Sequence, residues 1–137
     1  MDWKECCSRR IAKDVKPDTG MIASLTKSSK NKSESESKLE MSNTTAGSKL
    51  SLAYDSIREL LEALALKSGY KIYNHECYAA FLKEVMKESY KADEFNDIRK
   101  VRNAVNYYGK EISVEEASEL IARIKKLVVS VAGLLGK

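Results

Sequence analysis

The chain has 137 residues, 43% of them hydrophobic and 32% charged, and carries a net charge of +4 from 24 Lys and Arg against 20 Asp and Glu. That length fits one soluble domain around one core, and so mild a positive charge permits contact with nucleic acid without requiring it. One proline and 6 glycines leave few turn residues for a sheet-rich fold, no apolar run approaches the roughly 18–20 residues of a membrane span, and "MDWKECCSRR" lacks the apolar stretch of a secretory signal, so a helical, cytoplasmic protein is the expectation.

The first segment, "DWKECCSRRIAKDV", brings Trp3, Cys6, Cys7 and Ile11 together at helical spacing, and "KPD" breaks it. A second helix is expected from Asp18 to about Glu40. Its head carries the apolar residues Met21, Ile22 and Leu25. Its tail, "TKSSKNKSESESKLEM", carries almost none, and serine competes for the helix backbone. A weakly held helix or loop is therefore expected at about 26–49, with the loop at "SNTTAGS". "KLSLAYDSIRELLEALALKSGY" is the clearest helix, because Leu50, Tyr54, Ile57, Leu61 and Leu64 recur at steps of three and four and Leu60 widens the stripe.

Gly69 is placed to end that helix in the left-handed conformation. Asn74 can cap a fourth helix bearing Tyr78, Phe81, Leu82 and Val85. A fifth is expected from near Asp93, with Ile98, Val101, Val105 and Tyr108 on its core side and Gly109 as its stop. Ser113 and Glu116 then form a capping box. The last helix carries a wide stripe from Val114 through Leu120, Ile124 and Val131 to Leu134, which suits a central position. No strand and no internal repeat is predicted. The expected fold is all-α, a compact up-and-down bundle of about five to six helices spanning residues 1–137 as a single domain.

The three cysteines predict no disulfide framework. Cys6 and Cys7 are adjacent and Cys77 stands alone, so reduced and partly buried thiols are expected. With no C-x-x-C and a single histidine, His75, no metal site is expected, and no cofactor motif is present. Ordinary active-site sets are missing as well, since no Ser-His-Asp arrangement and no Gly-rich phosphate loop can be found.

The polar residues of "DIRKVRNAVNYYGKEIS" stand out instead. At about 100° per residue, Arg102 and Asn106 share one flank of the core stripe, Asn103 and Tyr107 share the exposed side, and Tyr108 lies nearer the core. A bland account pairs Arg102 with a carboxylate and leaves the rest to water. A functional account has this face meet an anion. Arginine suits phosphate because its planar fork donates two hydrogen bonds and stays charged, asparagine can orient a phosphate or hydroxyl, and tyrosine can stack on a base.

Three stretches, "SLAYDSIRELLEALALKSGYKIYNHE", "CYAAFLKEV" and "IRKVRNAVNYYGKEISVEEASELI", together resemble the HEPN superfamily (higher eukaryotes and prokaryotes nucleotide-binding domain), most of all its small, stand-alone archaeal members. The resemblance implies a helical bundle that forms homodimers and binds nucleotide or RNA. Many members are metal-independent ribonucleases, some belong to toxin–antitoxin pairs, and some are partnered with a small nucleotidyltransferase that modifies a tyrosine near the motif. The family motif is an Arg, a polar residue that is often Asn, and a His four to six residues after the Arg. Carried onto this chain, these fall on Arg102, Asn103 and Tyr107. A phenol thus stands where the motif has an imidazole, and at neutral pH a phenol is a poor base.

The resemblance therefore implies a nucleotide- or RNA-binding protein with a degenerate ribonuclease motif, using Arg102, Asn103, Asn106, Tyr107 and Tyr108. The alternative is an active ribonuclease whose Arg-Asn-Tyr site forms across a dimer. His75 lies on another helix, near its start, and is expected to be structural.

Overall fold

In the computed structural model, which describes residues 1–137, six helices and a small two-stranded ribbon follow one another along the chain. They are α1 (Trp3–Ser8), β1 (Ala12–Asp14), α2 (Thr19–Lys38), α3 (Ala46–Lys67), β2 (Tyr70–Ile72), α4 (His75–Ala80), α5 (Ser89–Tyr107) and α6 (Val114–Leu135), with a π-helical turn over Phe81–Val85 extending α4. The all-α expectation holds for the body of the fold. The start and stop signals act where they were expected. Asn74 accepts from the Glu76 amide at 2.7 Å, and Ser113 Oγ accepts from the Glu116 amide at 3.1 Å. Gly69 and Gly109 adopt φ values of 93° and 65°, in the region open to glycine at little cost.

The most enclosed element is α3, not α6. Leu50, Tyr54, Ile57, Leu60, Leu61 and Leu64 are all buried, and α3 touches α2, α4, α5, α6 and β2. Helix α6 contributes one buried stripe, Ala117, Leu120, Ile121, Ile124, Leu127 and Val131, and leaves its other face in water, with Val129 73% exposed. A wide apolar stripe marks a helix that packs well, but only burial on several sides marks a central one. Helix α5 begins at Ser89, ahead of the expected start near Asp93, and buries Ala92, Phe95 and Ile98.

The tail of α2 is helical to Lys38 and is held by polar contacts along a helical stripe. Ile22 and Leu25 start that stripe, and Ser29, Lys32 and Glu36 continue it at helical steps. Ser29 Oγ donates to the Ser56 carbonyl at 2.6 Å, Lys32 pairs with Glu59, and Glu36 lies 2.8 Å from Lys49 Nζ. Moving along α2 from Ser29 to Glu36, the partners on α3 run back from Ser56 to Lys49, so the two helices are antiparallel.

Lys49 is only 6% exposed, donates to the carbonyls of Glu36 and Leu39 at 2.6 and 2.5 Å, and forms an ion pair with the Glu36 carboxylate at 2.8 Å. From α6, Lys125 Nζ reaches within 3.1 Å of the same carboxylate, making a charge contact that is not aligned as a hydrogen bond. Burial pushes the Glu36 pKa up, yet the close contacts and charges of the Lys49 and Lys125 ammoniums outweigh it and hold the carboxyl below its ordinary value.

Two expectations fail at the N-terminal end. A strand pair is present: β1 and β2 lie antiparallel, with Ala12 opposite Ile72 and Asp14 opposite Tyr70. Each strand has three residues, too few for a two-residue alternation to register in the sequence. Helix α1 stops at Ser8, and Arg10, at φ 60°, turns the chain into β1.

The cysteines also differ from the expectation. Cys6 and Cys77 are both fully buried and joined in a disulfide across a sequence separation of 71, while Cys7 is exposed and free. Because α1 packs across α4, Cys77 meets a partner that no local spacing could indicate. Trp3 seals the junction against Tyr70 and Phe81, with ring centroids 5.1 and 5.8 Å away. None of the helices is long and apolar enough to cross a membrane.

Candidate phosphate-binding face

The centre of the site is a buried phenol. Tyr54 belongs to the apolar stripe of α3 and is fully buried, which leaves its hydroxyl in need of a partner. That partner is His75, whose Nδ1 lies 2.9 Å from Tyr54 Oη. His75 is the first residue of α4, so the Asn74 cap that starts the helix also sets the position of the imidazole.

Arg102 approaches from α5. Its guanidinium carbon lies 4.7 Å from the centroid of the Tyr54 ring and 5.6 Å from that of Tyr107. Both distances fall within the range in which an aromatic face attracts a cation, a contact worth about 0.5–2 kcal/mol depending on exposure. Arg102 Nη1 also sits 3.4 Å from Tyr107 Oη, a long contact that orients more than it binds.

The bland pairing of Arg102 with a carboxylate does not occur, as none of the chain's ion pairs includes it. Its Nε is buried and has no hydrogen-bond acceptor. A half-buried cation that rests against two phenol rings and belongs to no ion pair is placed to receive an anion on its outer nitrogens.

More positive charge gathers at the same place. Arg58 lies one turn beyond Tyr54 on α3, and Arg99 one turn before Arg102 on α5. Burial lowers the pKa of His75 below its ordinary value, and the charges of Arg58, Arg102 and Arg99 lower it further, opposed only by Asp55. Burial raises the Tyr54 phenol to about 12, against the pull of the same arginines. At neutral pH both groups are therefore uncharged. When the phenol donates to Nδ1, the imidazole carries its proton on Nε2.

The expected residues are sorted unevenly by the structure. Arg102 and Tyr107 meet. Asn103 is half-buried on the same helix, and Asn106 is exposed. Tyr108, expected nearer the core, is 83% exposed, because α5 ends at Tyr107 and Tyr108 is already its cap. Val101 and Val105 are only partly buried, so the last turns of α5 stand proud of the core. The residues missing from the sequence reading are Tyr54, Arg58 and Arg99, with His75 in a larger part than expected. The four-residue step from Tyr54 to Arg58 and the three-residue step from Arg99 to Arg102 were the available signals.

A cleft of about 500 Å³ opens nearby between α1, α4 and α5, and its lining includes Asp2, Glu76, Glu84 and Asp93. Four carboxylates against Lys83 and the chain's amino terminus suit a phosphate poorly, so the arginine face is the better anion site. Comparison of the chain with protein-family models, with curated proteins and with solved structures gives no match.

Proposed function

We propose that this is a HEPN-like protein that binds nucleotide or RNA through phosphate at Arg102, with Tyr107 and Tyr108 offering rings to a base, and that it acts as a homodimer or beside a nucleotidyltransferase partner, as in a toxin–antitoxin pair. The observation that carries it is the unpaired Arg102 guanidinium held between Tyr54 and Tyr107. The exposed Tyr107 and Tyr108, 69% and 83% accessible, suit contact with a base or with a second copy of the chain. Asn103 and Asn106 lie on the same turns and can add hydrogen bonds to ribose or phosphate.

A second reading, a metal-independent ribonuclease, is favoured by one specific observation. The imidazole that the motif lacks at Tyr107 is available from His75, uncharged and joined to Arg102 through the Tyr54 ring. In the tautomer whose Nδ1–H donates to the Tyr54 hydroxyl, His75 Nε2 is free to take a proton from a ribose 2′-hydroxyl, and Arg102 can bear on the charge that develops at phosphorus.

One experiment separates the readings. Mixed RNA is incubated in chelator with wild-type protein and with Arg102→Ala, and both binding and cleavage are followed. The binding reading expects intact RNA and an affinity about 10–100-fold weaker in the variant, the worth of one charge-assisted contact. Cleavage by wild type that disappears in both Arg102→Ala and His75→Ala would favour the ribonuclease. Equal affinity of wild type and Arg102→Ala at every salt concentration would remove Arg102 from the phosphate site. Sedimentation of the same samples at micromolar concentration reads the dimer, and a monomer throughout would exclude it.

A further inference from the structure

We propose that the arginine face selects a terminal phosphate, the dianionic group at the end of a nucleotide or an RNA chain, over the internal phosphodiesters of RNA. The proposal rests on the phosphate-binding reading above and adds which phosphate is bound.

Local charge carries it. Three helices meet here, and each brings its functional side chains through its own periodicity: Tyr54 and Arg58 from α3, His75 from α4, Arg99 and Arg102 from α5. The guanidiniums of Arg58, Arg99 and Arg102 all act on the same phenol and imidazole, and Asp55 is the one carboxylate that does so at both. Glu59 lies 3.8 Å from Arg58, but it is already paired with Lys32. Arg99 and Arg102 belong to no ion pair, so two guanidiniums here stand without a bound carboxylate. An internal phosphodiester brings one negative charge. A terminal phosphate brings about 1.5–2 near neutral pH, and it has three strong acceptor oxygens where the diester has two free ones.

Donor geometry points the same way. Arg102 is in no ion pair, and its guanidinium rests against the rings of Tyr54 and Tyr107. Arg99 is held by two hydrogen bonds to Asn96 Oδ1, at 2.9 and 3.2 Å, with no carboxylate to neutralise it. Two arginines without acidic partners, one turn apart on the same helix, can share the oxygens of one phosphate. Tyr107 and Tyr108 lie at the rim, where the base of the terminal nucleotide can stack.

The test uses one fluorescent oligoribonucleotide prepared with a 5′-phosphate, with a 3′-phosphate or with hydroxyls at both ends. Each is titrated with wild type, Arg58→Ala, Arg99→Ala and Arg102→Ala, and circular dichroism checks that each variant is folded. At least one phosphorylated form is expected to bind about tenfold or more tightly than the hydroxyl form, a difference that shrinks in Arg58→Ala and Arg99→Ala. Adenosine monophosphate as competitor then identifies the source. Displacement at concentrations comparable to the phosphorylated oligomer means free nucleotide suffices, and failure to displace means that an RNA end is required. Equal affinity for all three oligomers, with Arg102→Ala still weakening each, would overturn the terminal-phosphate preference and leave phosphate binding standing. No binding of any oligomer or of the nucleotide would overturn both.

Discussion

Replacing Glu36 with alanine is expected to lower the unfolding free energy by about 3–5 kcal/mol, because it strands the buried Lys49 ammonium beside a cavity. Urea unfolding followed by circular dichroism measures it. The double variant Glu36→Leu with Lys49→Met removes both charges and fills similar space, and it is expected to recover most of the loss. A single variant that costs less than about 1 kcal/mol would mean that the network binds α2 weakly.

The same carboxylate makes a pH prediction. Its folded pKa lies below the ordinary 4.5, so its stabilising effect is complete above that value and is lost as acid titrates it in the folded state. His75 adds a separate loss in the same direction. Its pKa is depressed from 6.5, so its contribution is full above that value and declines as the pH falls toward its folded pKa. Wild type is therefore expected to lose stability on acidification from neutral, and Glu36→Ala is expected to lose less of it below pH 4.5 than wild type does.

The second large effect concerns the disulfide. Reduction of wild type, or Cys77→Ala, is expected to cost about 2–5 kcal/mol, since the bond closes a long loop and ties α1 to α4. Urea unfolding with and without a dithiol reductant reads it. The reduced wild type and the variant should nearly coincide, and the variant should no longer respond to reductant. Identical curves for wild type under both conditions would show that the bond adds nothing to stability. As His75 lies two residues before Cys77 on the same helix, loosening α4 is also expected to broaden the signal of the imidazole.

What the sequence made legible was the part of the fold built by apolar repetition. The α3 stripe, the α6 stripe, the Asn74 and Ser113 caps and the Gly69 and Gly109 stops could all be read from residue type and spacing. The tail of α2 could not, because its inward stripe is written in Ser29, Lys32 and Glu36, and hydropathy treats those as surface. Their burial depends on partners supplied by α3, and no local pattern in α2 announces them. The Cys6–Cys77 bond and the three-residue strands share that difficulty, since each depends on a contact between distant segments.

The candidate site divides in the same way. Arg102 and Tyr107 were visible as an unusual pairing at a helix end. Tyr54 looked like one more core residue, which it is, and its hydroxyl acquires a role only where His75 meets it. Tyr108 lies farther from the core than a continued helical wheel implies, because it already caps the helix. Arg58 and Arg99 do not stand out in the sequence, because surface arginines are ordinary. Their convergence on one imidazole is a property of the packing of α3, α4 and α5.

The chain contains a single histidine, so one imidazole signal reports on the site without assignment ambiguity. The most direct measurement is the pH titration of that signal by NMR, without and with saturating nucleotide. The account predicts a midpoint below the ordinary 6.5 in the free protein, set by burial and the three arginines, and an upward shift when bound phosphate offsets their charge. A midpoint at the ordinary value that nucleotide leaves unmoved would contradict the placement of a phosphate site at Arg102, Tyr54 and His75.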